Sequence, residues 1–133
     1  MEFRIVALDV LEANLVAPTQ QLPPKVMFQF DVNLEHRWNT NDNIFIVVTS
    51  VSIFSEKKEH LLAKFKTNTV FQIEELANYV DTANQKVNMP TDIILDINEL
   101  AISTTRGSLF SFLKGTYLHN AVLPIIDQTI AVN

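Results

Sequence analysis

The sequence predicts an α+β fold: a four-stranded antiparallel sheet in the first half and a long C-terminal helix packed on one face of it. Apolar and polar side chains alternate along residues 26–40, which is typical of a half-buried strand. Residues 44–54 and 61–73 are β-branched or alternating apolar segments on either side of a short charged turn. Beyond residue 90 the apolar spacing changes to that of a helix.

The first predicted strand, residues 3–17, has apolar residues on both parities, so we expect both of its faces to be covered. Prolines make residues 17–24 a loop, because proline cannot donate a backbone hydrogen bond to a strand. The alternation in residues 26–40 places Phe28, Phe30 and Trp38 on one face. Short connections between the later strands predict a meander, in which consecutive strands are neighbours.

The helix is expected to begin near Pro90, with Asp92 in a first turn where negative charge is favoured, after a polar loop over residues 81–89. The chain has only two glycines. We expect Gly107 to end or bend the helix, because glycine permits a left-handed turn. Gly115 would then begin an extended segment that covers or borders the sheet.

Composition bounds the class of protein. The length, 133 residues, predicts one domain spanning residues 1–133, and 47% apolar with 19% charged residues indicates a globular chain. The chain has no cysteine and a net charge of −5, which argues against disulfides, thiol catalysis and a nucleic-acid surface. No apolar run is long enough to cross a membrane and the first residues lack the pattern of a leader peptide, so we expect no leader, no membrane insertion and a soluble cytoplasmic protein.

A search for catalytic or metal-binding patterns finds no phosphate loop, zinc motif or nucleophile elbow. His60 near Glu56 and Glu59 fits a solvated turn better than a metal site, and His36 fits a residue with a local partner. His119 has serines and an aspartate nearby in sequence, but nothing indicates an oxyanion hole. The sequence therefore predicts no enzyme, no cofactor and no metal.

Apolar surface is the feature that remains. The chain has nine phenylalanines, and one helix cannot cover both faces of a four-stranded sheet. A second subunit or a ligand is needed to cover the rest.

Several motifs occur in one order along the chain. They are Phe3, Ile5, Glu12 and Ala17-Pro18 in the first strand, Val70-Phe71-Gln72-Ile73 in the fourth, Thr105-Arg106-Gly107 in the helix, and Pro124 after an aliphatic stretch. In these motifs and in the order of its elements the chain resembles the SecB family of protein-export chaperones over nearly its whole length.

The resemblance implies an ATP-independent chaperone, a homotetramer built as a dimer of dimers, which holds unfolded polypeptide clients in apolar grooves and passes them to the motor ATPase SecA. Apolar grooves bind unfolded segments with low specificity, and free strand edges add hydrogen bonds. The groove-lining residues that we expect among the aromatics are Phe28, Phe30, Trp38, Phe110, Phe112 and Tyr117.

The chain departs from the family at the surface that docks SecA. The family's three acidic positions there fall on Glu12, Val16 and Lys64, so only Glu12 keeps its charge and could contribute to docking. The resemblance therefore implies doubtful SecA binding, and the antitoxin of a toxin–antitoxin pair becomes a possible client. The alternatives, a small apolar ligand-binding module or a scaffold, remain open at this stage.

Overall fold

The fold is known from a computed structural model, which describes residues 2–16, 28–56 and 60–125. Its strands are β1 (Phe3–Leu15), β2 (Gln29–Asn39), β3 (Ile44–Phe54) and β4 (Leu61–Ile73). A 3₁₀ turn, Leu76–Tyr79, leads to the two short strands β5 (Val80–Asp81) and β6 (Lys86–Val87), and then to helix α1 (Thr91–Leu113). The α+β class, the four-stranded antiparallel sheet and the long C-terminal helix are therefore confirmed.

The strand order differs from the predicted meander. It is β1-β4-β3-β2, so β2, β3 and β4 follow one another as predicted, whereas β1 lies beside β4. This is a Greek-key arrangement. The connection from β1 to β2 is longer than the roughly two to five residues of common hairpin loops, and the chain can therefore cross to the far edge.

The two faces predicted for β2 are confirmed by the register of the sheet. Leu34 lies opposite Thr49 and Trp38 lies opposite Phe45, and both of these β3 residues are fully buried. The alternate side chains of β2, from Gln29 to Asn39, are exposed. One face of β2 thus belongs to the core between sheet and helix, and the other faces water.

Helix α1 begins as predicted, directly after Pro90 and with Asp92 in its first turn. It does not end at Gly107 but continues to Leu113, and a side chain at Gly107 would meet no neighbouring atom. One exposed glycine costs a helix only about 1 kcal/mol, and burial of Leu109 and Leu113 offsets that cost. The left-handed glycine is Gly115, with φ of 81°.

The segment after Gly115 was expected to be extended, and this is wrong. Residues 117–120 form turns, in which the Ala121 N–H donates to the Leu118 carbonyl at 2.9 Å. Leu118, Ala121 and Leu123 are nevertheless buried in the core. Arg106 of α1 fixes this segment by donating to the carbonyl oxygen of Leu123 at 2.9 Å. The segment therefore completes the core, as expected, without being a strand.

The predicted polar loop 81–89 contains the hairpin of β5 and β6. Its turn is built on Asp81, whose carboxylate accepts hydrogen bonds from the Asn84 side chain and from the backbone N–H groups of Asn84 and Ala83. These hydrogen bonds hold the pKa of Asp81 below its usual value. Polar composition concealed the hairpin because two-residue strands carry no alternation.

Candidate functional site

Three of the six predicted groove aromatics lie at β2. Phe30 and Trp38 are on the face that α1 covers, and Phe28 directly precedes the strand. All three are half-buried and pack against the core. Each therefore presents part of its ring to the outside while contributing to stability.

The two predicted aromatics at the end of α1 have different surroundings. Phe112 stacks on Phe65 of β4, with ring centroids 5.6 Å apart and planes 19° apart. Phe110 is 52% exposed. Residues two apart do not share a helix face. Phe110 is therefore the aromatic in this set that is most available to a partner.

The side chain of Tyr117 contacts backbone groups of two other segments. Its hydroxyl contacts the carbonyl oxygens of Val16 and of Leu62, the latter at 3.2 Å. Val16 follows β1 and Leu62 lies at the start of β4, so the side chain joins the C-terminal segment to the end of the sheet. Burial raises the pKa of Tyr117 above its usual value. Tyr117 thus links the C-terminal segment to the end of the sheet through hydrogen bonds to backbone carbonyl groups.

A polar seam runs between the sheet and α1. His36 on β2 lies 2.8 Å from the Asn98 side-chain oxygen, and the Thr67 and Thr105 hydroxyls are 2.8 Å apart. Thr105 also donates to the Ala101 carbonyl, so Thr67 is the donor in the threonine pair. One signal of this seam is visible in the sequence, because β4 carries threonine at positions where its alternation calls for apolar residues.

Some atoms in this seam have no hydrogen-bond partner among the described residues. They are the hydroxyl oxygens of Thr49 and Thr69 and the side-chain nitrogen of Asn98. All three residues are fully buried. Buried polar atoms without partners weaken packing, since each typically costs about 1–3 kcal/mol. The attachment of α1 to the sheet is therefore weaker than an all-apolar interface of the same size.

Strand β1 exposes apolar side chains at the edge of the sheet. Ile5, Leu8 and Val10 lie on the side where α1 packs, yet each is more than a third exposed. Val6 and Leu11 fall at two irregularities of the β1–β4 register and are exposed as well. The expectation that both faces of β1 are covered is thus not met within one chain.

A cleft of about 490 Å³ lies between β2 and the β5–β6 hairpin. Its walls are residues 33–36 and Trp38 on one side and residues 86–88 on the other. The volume lies within the range of about 300–1,000 Å³ that is usual for ligand pockets. Sequence reasoning missed this cleft because one wall is the hairpin that the polar composition concealed.

The charges around Glu12 are arranged by the pairing of β1 with β4. Glu12 lies opposite Lys66, and its carboxylate accepts a hydrogen bond of 2.9 Å from the Asn14 side chain. Lys64 lies opposite Asn14 and is exposed on the same face. Val16 is also exposed. The surface is therefore not acidic at the predicted docking positions.

The histidines have ordinary partners. The prediction of a local partner for His36 is wrong, because its partner is Asn98 of α1, 62 residues away along the chain. The backbone N–H of His60 donates to Ser55, and the His119 ring lies 3.0 Å from the Thr116 carbonyl. The aspartate considered with His119, Asp127, lies outside the described residues. In residues 2–16, 28–56 and 60–125, no three His, Asp or Glu side chains gather as metal ligands would.

The helices of the described residues include none that is both long and apolar enough to cross a bilayer. The exposed carboxylates Asp92, Asp96 and Glu99 lie on the water-facing side of α1.

Comparison with known proteins finds a likeness of structure without one of sequence. No protein-family model matches this chain, and no curated protein matches it. It is similar in structure to the SecB-like chaperone Rv1957 of Mycobacterium tuberculosis, solved in complex with a ChAD peptide from the antitoxin HigA1, Rv1956. The TM-score is 0.65 at 11% identity, over 94% of this chain and 90% of that one. The predicted SecB-like fold is confirmed, and the solved protein is described as a chaperone.

Proposed function

We propose that this protein is an ATP-independent chaperone of the cytoplasm, which binds unfolded polypeptides on apolar surface and has no catalytic role. The observation that carries the proposal is the likeness of its fold to a SecB-like chaperone solved with a bound peptide. The apolar side chains that it exposes, on β1 and at Phe110, support the same function.

The physical basis is the hydrophobic effect. An unfolded chain exposes aromatic and aliphatic side chains that a folded protein buries, and each square ångström of apolar surface removed from water contributes about 25 cal/mol. Such contacts do not depend on one sequence, and no nucleotide is needed because binding and release are set by competition with folding. Folded proteins are rejected since they present little such surface.

The direct test is suppression of aggregation. Two unrelated proteins are diluted from denaturant with and without an equimolar amount of this chain, and light scattering is followed. A holding chaperone lowers the scattering of both, without ATP. Scattering that is unchanged for both proteins, with a correctly folded chain, would refute the proposed function.

Phe110 is the first of the six aromatics to test as a client contact. Because it is 52% exposed, Phe110→Ser should weaken client binding several-fold and leave the unfolding temperature nearly unchanged. Val122→Ser is a control, since Val122 is also 52% exposed. Phe28, Phe30, Trp38, Phe112 and Tyr117 follow, with greater loss of stability because each is half-buried.

We propose also that the chain works as a homotetramer, a dimer of dimers. The support is the exposed apolar face of β1, an edge strand, together with Ile94, which lies half-buried on α1 beside Ile93. Edge strands with exposed apolar residues pair with other chains. Light scattering after gel filtration tests this, and a stable 15.1 kDa species at micromolar concentration would contradict it.

The recipient of its clients is proposed to differ from SecA. Glu12 faces Lys66 across the strands and Lys64 lies on the same face, so a basic partner would meet repulsion. We expect no binding of SecA from the same organism in a titration at low salt. Micromolar binding that Glu12→Lys abolishes would restore the export role. An antitoxin is the alternative client, as in the solved SecB-like complex.

A further inference from the structure

The N-terminal part of α1, residues 91–105, is attached to the sheet through polar groups that are only partly satisfied. It forms hydrogen bonds with β2 through Asn98 and with β4 through Thr105, so β3, the strand between them, lies beneath it. There the Asn98 side-chain nitrogen and the hydroxyl of Thr49 on β3 are buried without a partner among the described residues. Separation from the sheet lets water bond both atoms, which offsets part of the cost of exposing apolar surface.

The C-terminal part of α1, residues 108–113, is held more firmly. Phe112 stacks on Phe65 of β4 with ring centroids 5.6 Å apart, and Leu109 is buried. Directly before this part, Arg106 donates to a backbone carbonyl of the C-terminal segment at 2.9 Å. Among the described residues, the buried polar atoms without partners include none from this part. It is therefore the fixed end of the helix.

The junction of the two parts carries features that weaken a helix. The hydroxyls of Thr104 and Thr105 donate to the carbonyls of Leu100 and Ala101, each at 2.7 Å. Such bonds to the preceding turn slightly destabilise a helix and often bend it. Gly107 follows, exposed and without a positive φ, at a position where a side chain would meet no atom. Neither a turn nor close packing requires this glycine, and its effect is to make the helix easier to open.

We propose that α1 is hinged at Gly107, and that its N-terminal part lifts from β3 to uncover an apolar surface for unfolded clients. The inference rests on the proposed function and names the surface at which it acts. Phe45 and Val47 of β3 are 0% exposed and lie beside His36, the residue that Asn98 contacts. Lifting of this part of the helix exposes them, and aromatic and aliphatic surface of this kind binds chains that expose similar side chains.

Hydrogen exchange measures the opening. Relative to their intrinsic rates, the backbone amides of residues 95–104 should exchange at least about tenfold faster than those of residues 109–113 and of β3, because they open without the sheet. All amides of residues 95–104 should show the same protection, since one hinge exposes them together. Equal protection of the two parts of α1 would overturn the hinge. A gradual loss of protection towards residue 91 would indicate fraying from the helix end and would overturn it too.

Gly107→Ala tests the position of the hinge. The added methyl group has room, and alanine favours the helix over glycine, so exchange of residues 95–104 should slow about fivefold. Ser111→Ala is the matched control, because Ser111 is exposed on the same helix beyond the hinge. It should leave that exchange unchanged. Equal effects of the two variants would refute a hinge at Gly107.

Thr49→Val tests the polar attachment. Valine has a similar shape and needs no hydrogen bond, so the closed helix is favoured and exchange of residues 95–104 should slow about fivefold. Thr67→Val is the contrasting variant, since Thr67 donates to Thr105 and its loss should speed the same exchange. Changes of the same sign in the two variants would contradict opening along these groups.

Client binding connects the hinge to function. The probe is a reduced and carboxymethylated protein that stays unfolded and carries a fluorophore. Because apparent affinity scales with the fraction of molecules in the binding-competent state, Gly107→Ala and Thr49→Val should each weaken binding by about the factor by which they slow exchange. Ser111→Ala should bind as the unchanged protein does. Slower exchange with unchanged affinity would overturn the proposed client surface.

The outcomes separate this inference from the proposed function. Equal suppression of aggregation and equal client affinity in all variants would leave a chaperone that binds clients on its closed surface, and would overturn the proposal. Absence of both client binding and aggregation suppression would refute the two together.

Discussion

The two edge strands, β1 and β2, differ in how exposed their side chains are at the two ends of one row across the sheet. Leu34 of β2, Thr49, Thr67 and Val10 of β1 lie side by side across the sheet. Leu34 is 0% exposed and Val10 is 52% exposed. Both are aliphatic and both point to the side on which α1 packs, so composition does not explain the difference.

The position of α1 explains it. The helix reaches β2 through Asn98, which bonds His36, and it packs mainly on β3 and β4. Val10 lies on the far side of β4 from β3 and stays accessible to water. The row of side chains is thus buried at its β2 end and accessible to water at its β1 end.

The largest effect is expected from truncating the buried end of the row. Leu34→Ala should lower the free energy of unfolding by about 2–5 kcal/mol, because it opens a cavity in the core. Leu8→Ala on β1, where the side chain is 37% exposed, should cost less than about 1 kcal/mol while the chain is monomeric. Urea unfolding at several protein concentrations measures both. Equal losses at low concentration would abolish the distinction between the edges.

The second effect concerns association. Val10→Lys should convert the proposed oligomer to monomer at micromolar concentration, because a charged side chain is costly to bury in an apolar interface. Val122→Lys makes the same change at a position of equal exposure and should leave the oligomer intact. Sedimentation or light scattering provides the measurement. An oligomer unaffected by Val10→Lys would show that the open edge is not the interface.

A smaller effect is expected from the two threonines in the middle of the row. Thr49→Val should raise stability by about 1 kcal/mol, since its hydroxyl has no partner among the described residues. Thr67→Val should lower stability by about 1 kcal/mol, because Thr67 donates to Thr105. Chemical unfolding of the two variants, side by side, decides this. Changes of the same sign would contradict the described hydrogen bonding.

The smallest effect is a dependence on pH at the end of β1. The Tyr117 hydroxyl binds the Val16 carbonyl, and burial raises the pKa of this side chain above its unfolded value near 10. The folded state therefore holds the proton more tightly, and its contribution to stability, complete below about pH 10, is lost as pH rises through the folded pKa. Thermal unfolding of Tyr117→Phe should depend less on pH above 10 than that of Tyr79→Phe.

Much of the fold could be predicted from the sequence because each strand is bounded by turn residues or prolines. The alternation in β2 indicated which face enters the core, and Pro90 marked the start of α1. Strand order could not be predicted, since the alternation of apolar and polar residues along a strand does not indicate which strand lies beside it. The end of the helix could not be predicted from Gly107, because the helix continues past it through the burial of Leu109 and Leu113.

The candidate site was less predictable than the fold. Exposed aromatics such as Phe110 and buried ones such as Phe65 look alike in sequence, and only the packing separates them. The roles of Asn98 and Tyr117 depend on partners 62 and 101 residues away along the chain. The cleft could not be predicted because one of its walls is the β5–β6 hairpin, whose two-residue strands are too short to show an alternating pattern. These features arise from contacts between residues far apart in the chain, which local sequence patterns do not reveal.

The pairing of β1 with β4 has a consequence for synthesis on the ribosome. Phe3 pairs with Ile73, so the first strand to be made has to wait for the last strand of the sheet before its hydrogen bonds can form. Contacts so distant in sequence fold slowly, because a long loop has to close first. During that interval the nascent chain carries thirteen unpaired and largely apolar residues. A protein proposed to shelter unfolded chains is itself, in its earliest moments, such a chain.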